Sequence, residues 1–71
     1  MTMRYTIIIE HGPEHFSGYA PDFPGCVAAA DTEQETLALM QEALEMHIED
    51  MHERGEPIPQ PSEIREVEVA A

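Results

Sequence analysis

The sequence predicts an α+β fold, a two-layer sandwich of order β-β-β-α-β in which one helix packs on a four-stranded sheet. Three observations lead to this prediction: short runs of strand-forming residues separated by turns, one apolar stripe at helical spacing, and a proline-rich connector before a final alternating run. The chain has 71 residues, and we expect a single domain over residues 1–71. A chain this short buries only about 60% of the surface that its unfolded form exposes, so the core must be small.

Three strands are expected in the first thirty residues. Residues 4–10 are rich in β-branched and aromatic types, and their apolar side chains alternate between two faces. A Gly-Pro turn follows, and residues 15–20 form the second strand. Residues 21–25 contain two prolines and a glycine, which excludes a helix interior or a central strand and predicts a structured turn. Residues 26–30, small and mostly alanine, form the third strand.

One long helix is the element that the sequence defines best. Thr32 stands three residues before Glu35, the spacing of a capping box, and Gly55 follows the last periodic residue as expected of a left-handed C-terminal cap. The helix therefore begins near Thr32 and ends at Gly55. Its apolar stripe recurs at steps of three and four residues, and it consists of Leu37, Met40, Leu44, Ile48 and Met51.

After the helix, proline occupies every second position of residues 57–61, which predicts an extended, stiff connector. Residues 63–69 then carry apolar side chains among charged ones and are predicted to form the fourth strand. One helix covers only one face of such a sheet. Because Ile8 places an apolar side chain on the other face, that face or a sheet edge is a candidate for self-association, and we expect a homo-oligomer.

The charge balance narrows the class of partner. Fifteen Asp and Glu face only three arginines and no lysine, for a formal net charge of −12. A phosphate backbone is bound by Lys and Arg, so this chain is not expected to bind nucleic acid directly, and a basic protein is the better partner. Acidity that serves only solubility is the alternative. The single cysteine and the absence of a long apolar stretch predict a cytoplasmic protein without a membrane span.

The sharpest candidate for a partner site is the acidic face of the helix. Four glutamates recur on the side opposite the apolar stripe, and an ordinary solvated helix face is the alternative interpretation. These residues are Glu42, Glu45, Glu49 and Glu53.

Catalytic and metal-binding interpretations are weaker, and we expect neither an enzyme nor a cofactor. Residues 11–15 match the letters H-x-x-E-H of a zinc protease, but that pattern works only on a helix, which Gly-Pro forbids here. Asp22 and Asp31 could suggest two-metal nuclease chemistry, although each is better explained as a turn or cap residue. Cys26 is expected to be a buried structural thiol because no base is identifiable nearby.

Several of these features together resemble the HicB antitoxin family. The resemblance rests on Pro-Asp-Phe-Pro-Gly-Cys at residues 21–26, on Asp31-Thr32 opening a helix with Glu35 in its first turn, and on the proline-rich helix exit at residues 55–62. It implies a partial RNase H-like fold. It also implies a function: to bind a small basic HicA-like toxin, an mRNA-cleaving ribonuclease, and to cover its active surface.

Three hypotheses follow for the function. The first is an antitoxin domain that neutralises a HicA-like toxin. The second is an orphan HicB-like module that self-associates and serves another regulatory interaction without a toxin. The third, a metal-dependent nuclease centred on Asp22, is disfavoured. Many HicB antitoxins carry a C-terminal DNA-binding domain, and none is expected within this sequence.

Overall fold

The computed structural model describes residues 2–70 and contains three strands and one helix in that part of the chain. The strands are β1 (Ile8–His11), β2 (Phe16–Tyr19) and β3 (Val27–Ala30), and the helix is α1 (Glu33–Glu53). The strands form one antiparallel meander in the order β1-β2-β3. The predicted α+β class and the order of these four elements are confirmed.

The first strand is shorter than predicted because its partner ends early. Ile8 pairs with Tyr19, the last residue of β2, so residues 5–7 extend past the end of the hairpin and have no ladder partner in it. Beyond Tyr19 the chain turns at once, and the Ala20 amide donates to the carbonyl of Cys26 at 3.3 Å. Residues 4–10 have the composition of a strand, but backbone pairing also needs a second strand opposite each residue.

The turn between β2 and β3 places an aromatic side chain in the centre of the core. The Phe23 amide donates to the carbonyl of Ala20 at 3.1 Å, and the Cys26 amide donates to the carbonyl of Phe23 at 3.0 Å. Gly25 has φ of 89°, a left-handed conformation that favours glycine. Phe23 is 1% exposed, and its ring meets the rings of Tyr5 and His47 edge-on.

Both predicted ends of α1 are confirmed. The Thr32 hydroxyl accepts a hydrogen bond from the Glu35 amide at 3.0 Å, which satisfies one free donor of the first turn. The second bond of the expected capping box is different, since the Glu35 carboxylate accepts the Thr32 hydroxyl instead of the Thr32 amide. At the other end Gly55 has φ of 70°, and the amides of Gly55 and Glu56 donate to the carbonyls of His52 and Met51, as in a Schellman motif.

The helix lies over β2 and β3 and leaves β1 less covered. Met40 and Thr36 are fully buried at this contact, and the Thr36 hydroxyl donates to the carbonyl of Thr32 at 2.8 Å. Gly18 in the middle of β2 allows the close approach, because a β-carbon there would lie 3.1–3.3 Å from the side chains of Ile9, Thr36 and Met40. One predicted core residue is misplaced: Leu37 is 43% exposed, since it points past the β1 side of the sheet.

The proline connector returns from the helix end to the core and is fixed at two points. The Tyr5 hydroxyl donates to the carbonyl of Pro59 at 2.6 Å, and Ile58 packs against the core. The Ser62 amide donates to the Asp22 carboxylate at 2.9 Å, and the Ser62 hydroxyl donates to the same carboxylate. The connector is thus anchored to the domain through Tyr5 and Asp22.

The predicted fourth strand does not form in the single chain. Residues 63–69 belong to no strand, and their backbone pairs with none of the three strands described here. Val67 and Val69 are 84% and 78% exposed. The Cα radius of gyration is 14.0 Å, against about 11 Å for a compact chain of this length, because this tail extends away from the domain. Alternation alone does not make a strand unless the backbone also pairs with an edge of the sheet.

Candidate functional site

The four predicted partner-site residues all lie on the outward face of α1. Each is exposed, on the side of the helix opposite Met40. Glu45, Glu49 and Glu53 follow one another at intervals of four residues, so their side chains are neighbours along one line. Like charges at this spacing destabilise a helix by about 0.2–0.5 kcal/mol per pair. Because of their shared exposure and spacing, these side chains form one acidic strip, which we call the acidic face (Glu42, Glu45, Glu49 and Glu53).

The few positive charges do not offset this face. Arg54 pairs with Glu56 at 2.9 Å and with Asp50 at 3.4 Å, and these contacts raise the pKa of Arg54 and lower that of Glu56. Arg65 pairs with Glu63 at 2.7 Å. Two of the three arginines are thus occupied by acidic neighbours, whereas a nucleic-acid backbone is bound by clustered cations.

The open face of the sheet carries an apolar row that the sequence revealed only in part. Ile8, Tyr19 and Val27 stand opposite one another across the three strands, and all three side chains are exposed on the face away from the helix. Of these, only Ile8 was expected to mark that face. The other two could be assigned to it only with the hairpin register, which depends on the turn lengths.

A third surface is an apolar groove of about 530 Å³ beside β1. It forms because α1 lies over β2 and β3, so the helix flank facing β1 is left without a covering strand. We call this the β1 groove. Its apolar lining comes from the segment leading into β1, from the helix flank and from the connector, and comprises Tyr5, Ile7, Leu37, Leu44, Ile48 and Ile58.

The candidate catalytic carboxylates are not brought together into a site. Asp22 is engaged by Ser62, whose hydroxyl and amide lower the pKa of that carboxyl. Asp31 is an exposed residue before the helix cap. Within residues 2–70, no three His, Cys, Asp or Glu side chains are grouped as metal ligands would be. What the sequence did not show is that Asp22 anchors the connector, forty residues away in the chain.

The other chemically reactive side chains considered in the sequence are buried or packed against aromatic rings, or lie beside a turn. Cys26 is buried in the core, and burial raises the pKa of its thiol, which keeps it protonated and weakly nucleophilic at neutral pH. His11 and His15 flank the β1–β2 turn, where the ring of His11 stacks on that of Phe16 at 4.2 Å. His47 borders the core and meets Phe23, as expected of a boundary residue.

The comparison with protein families decides the class. A family model described as HicB-like antitoxin of a bacterial toxin–antitoxin system matches residues 5–71. The chain belongs to the HicB-like antitoxin family. Its match covers the turn at residues 21–26, the capped helix and the proline connector, which are the parts that carried the resemblance in the sequence.

Two curated proteins are similar to this HicB-like chain. One is antitoxin HicB 2 of Photorhabdus laumondii, 37% identical over 60 residues, which cover 84% of this chain and 43% of that protein. The other is an uncharacterized 14.9 kDa protein from the rep-hol intergenic region of Haemophilus phage HP1, 38% identical over 64 residues, which cover 90% of this chain and 48% of that protein. The chain spans less than half the length of these relatives. No solved structure matches it.

No helix within residues 2–70 is apolar enough over a sufficient length to cross a membrane. Three surfaces stand out on the described part of the HicB-like chain: the acidic face, the apolar row of the open sheet face, and the β1 groove. Charged strips and exposed apolar patches of this kind are typical of surfaces that contact another protein chain.

Proposed function

We propose that this chain is an antitoxin domain that binds a small basic HicA-like mRNA-cleaving toxin and neutralises it by covering its active surface. The proposal rests on membership of the HicB-like antitoxin family, and the observation that carries it within the fold is the acidic face of α1. In this proposal the domain acts in the cytoplasm, where mRNA is found. It needs no cofactor and has neither catalysis nor direct nucleic-acid binding of its own.

The expected surface charge of an RNA-cleaving partner follows from the charge of its substrate. An enzyme that binds RNA needs Lys and Arg on its substrate surface. An acidic strip complementary to that surface raises the rate of encounter and competes for the cations that RNA would use. The repulsion among Glu45, Glu49 and Glu53 is relieved when a cationic surface covers them, so a helix that is locally unfavourable in the free chain gains stability in the complex.

The experiment that tests this proposal compares two equal charge changes. The candidate partner is the small basic product of the neighbouring reading frame. Glu49→Gln together with Glu53→Gln, on the acidic face and outside the lining of the β1 groove, is expected to slow association with that protein by about tenfold and to weaken protection of RNA from cleavage. Glu10→Gln with Glu14→Gln removes the same charge from the β1–β2 hairpin and is the matched control.

The toxin proposal is wrong if the basic protein neither binds the unaltered chain nor loses its nuclease activity in the presence of this chain. The assignment of the acidic face is wrong if both double variants slow association equally, because net charge alone would then account for the effect. Raising the salt concentration should weaken the complex in either case, since the attraction is between opposite charges at the surface.

A second candidate function is an orphan HicB-like module that self-associates and has no toxin partner. The observation that favours it is the amount of exposed apolar surface, in the row of Ile8, Tyr19 and Val27 and in the β1 groove. Self-association without binding of a neighbouring basic protein would support this function over the first. The partial RNase H-like architecture that the resemblance implies also needs a fourth strand, which the following proposal supplies.

A further inference from the structure

The tail of the chain has the composition of a strand and lacks a partner for it. From Glu66 to Val69 acidic and apolar residues alternate, so Val67 and Val69 share one face and Glu66 and Glu68 the other. Both valines are more than three-quarters exposed. β-branched side chains in this pattern are typical of a half-buried strand, and two exposed valines on one face are costly in water.

The β1 groove has the complementary property. Its lining is mostly apolar, it borders residues 2–7, which lead into the edge strand β1, and its helix wall includes Leu37 and Leu44. A strand added at that edge would place every second side chain in the groove, against the flank of α1. The edge of β3 is also free in the three-stranded sheet, but α1 already packs over β3.

The tail does not occupy the groove of its own chain, and the anchors of the connector explain why. Ser62 is bound to Asp22 in the turn that follows β2, and residues 63–70 lead away from that point with exposed side chains. The prolines at 57, 59 and 61 stiffen the connector that leads there. The strand and the groove are therefore both present in one chain, but apart.

We propose that residues 63–69 of one copy pair as a strand with the β1 edge of a second copy, with Val67 and Val69 in its β1 groove, and that the exchange is reciprocal. Each copy then supplies one tail and one groove, and each sheet gains its fourth strand. Ile64, on the opposite face of the added strand, extends the apolar row that contains Ile8. This inference concerns self-association and does not depend on a toxin.

Charge makes the proposed dimer distinguishable from the toxin complex. Two copies that each carry a formal charge of −12 repel one another, so salt should strengthen this association. Salt should weaken a complex between the acidic face and a basic partner. Failure of one proposal therefore leaves the other testable, because the two associations respond to salt in opposite directions.

Sedimentation velocity and light scattering of the 71-residue chain test the exchange. The unaltered chain is expected to be a dimer, and Val67→Asp is expected to weaken its association at least about a hundredfold, because one valine is lost from each of two grooves. The matched control is Met46→Asp, which introduces the same charge at a side chain that is 71% exposed and lines neither the groove nor the tail. Circular dichroism of both variants shows whether α1 is intact.

Mixing two damaged chains tests reciprocity. Val67→Asp places a charge in the tail and leaves the groove unaltered. Leu37→Glu places a charge in the groove and leaves the tail unaltered. Each variant alone should be a monomer, and an equimolar mixture should form heterodimers through the one intact tail and the one intact groove. The proposal is overturned if the unaltered chain is a monomer, whether its tail is free or folded onto its own β1 edge. It is equally overturned if the dimer survives Val67→Asp.

Discussion

At the scale of single residues, Asp22 was expected to act only in a local turn, and in the structure it also binds Ser62, forty residues away in the chain. Aspartate beside proline is an ordinary turn former, and that was its predicted role. In the structure its carboxylate accepts both the amide and the hydroxyl of Ser62, and these bonds hold the pKa of Asp22 below its ordinary value of 3.8. The charged form is therefore the one that fixes the connector.

The pH dependence of this anchor has a definite sign. Because the pKa of Asp22 is lower in the folded chain than in the unfolded one, its stabilising effect is present above pH 3.8 and is lost as the pH falls through the depressed folded value. Asp22→Ala should remove the effect at every pH. Amide hydrogen exchange at Ser62 measures it: we expect slow exchange at neutral pH in the unaltered chain and fast exchange in the variant. Equal rates in both would show that the anchor is not formed.

The ends of the helix were predictable at this scale because they depend on neighbours in sequence. Thr32 and Gly55 act on backbone groups within a few residues, so their roles follow from residue type and spacing alone. The contact between Asp22 and Ser62 joins residues forty positions apart, and no local pattern indicates it. The Thr32 hydroxyl donates to the Glu35 carboxylate, and this bond depends on the rotamers of the two side chains, which the sequence also does not specify.

At the scale of elements, the packing of α1 on β2 depends on the absence of a side chain at Gly18. Gly18→Ala adds a β-carbon 3.1–3.3 Å from the side chains of Ile9, Thr36 and Met40. We expect a loss of about 1–3 kcal/mol in the free energy of unfolding, because overpacking forces the helix and the strand apart. Chemical denaturation monitored by circular dichroism measures this loss.

The control for Gly18 is Ala29→Ser, an exposed position in the neighbouring strand on the other side of the sheet. Its effect should stay within about 0.5 kcal/mol, as is usual for surface substitutions. If Gly18→Ala is as mild as this control, the helix is not held at the distance that the structure shows.

The strands themselves were predictable in type and order. Their limits depend on the register between them, which places Ile8 opposite Tyr19 and leaves residues 5–7 without a partner in the hairpin.

At the scale of the whole molecule, charge is the property that the sequence revealed most fully. Helical periodicity places the four glutamates opposite the buried stripe, and the structure shows them exposed there. The predicted fourth strand is absent from the single chain, because a strand is defined by its pairing and residues 63–69 pair with neither free edge of the sheet. The β1 groove was missed for the same reason, since it exists only where that partner is absent.

Self-repulsion should make the stability of the monomer depend on ionic strength. A formal charge of −12 on 71 residues disfavours the compact state. We therefore expect the melting temperature of the Val67→Asp chain, which is designed to be monomeric, to rise with added sodium chloride. Glu49→Gln with Glu53→Gln in that background should reduce the slope, because two close like charges are removed. A melting temperature independent of salt would contradict the expected repulsion.

The two anchors of the connector have a thermodynamic consequence for any association that uses the tail. Tyr5 holds Pro59 and Asp22 holds Ser62 in the free chain, so the root of the tail already has one position and one direction before a partner arrives. Capture of such a segment orders only the residues beyond Ser62, and the entropic cost of binding is correspondingly lower than for a free chain end. If the proposed exchange takes place, these anchors preorganise the domain to give its tail to a second copy.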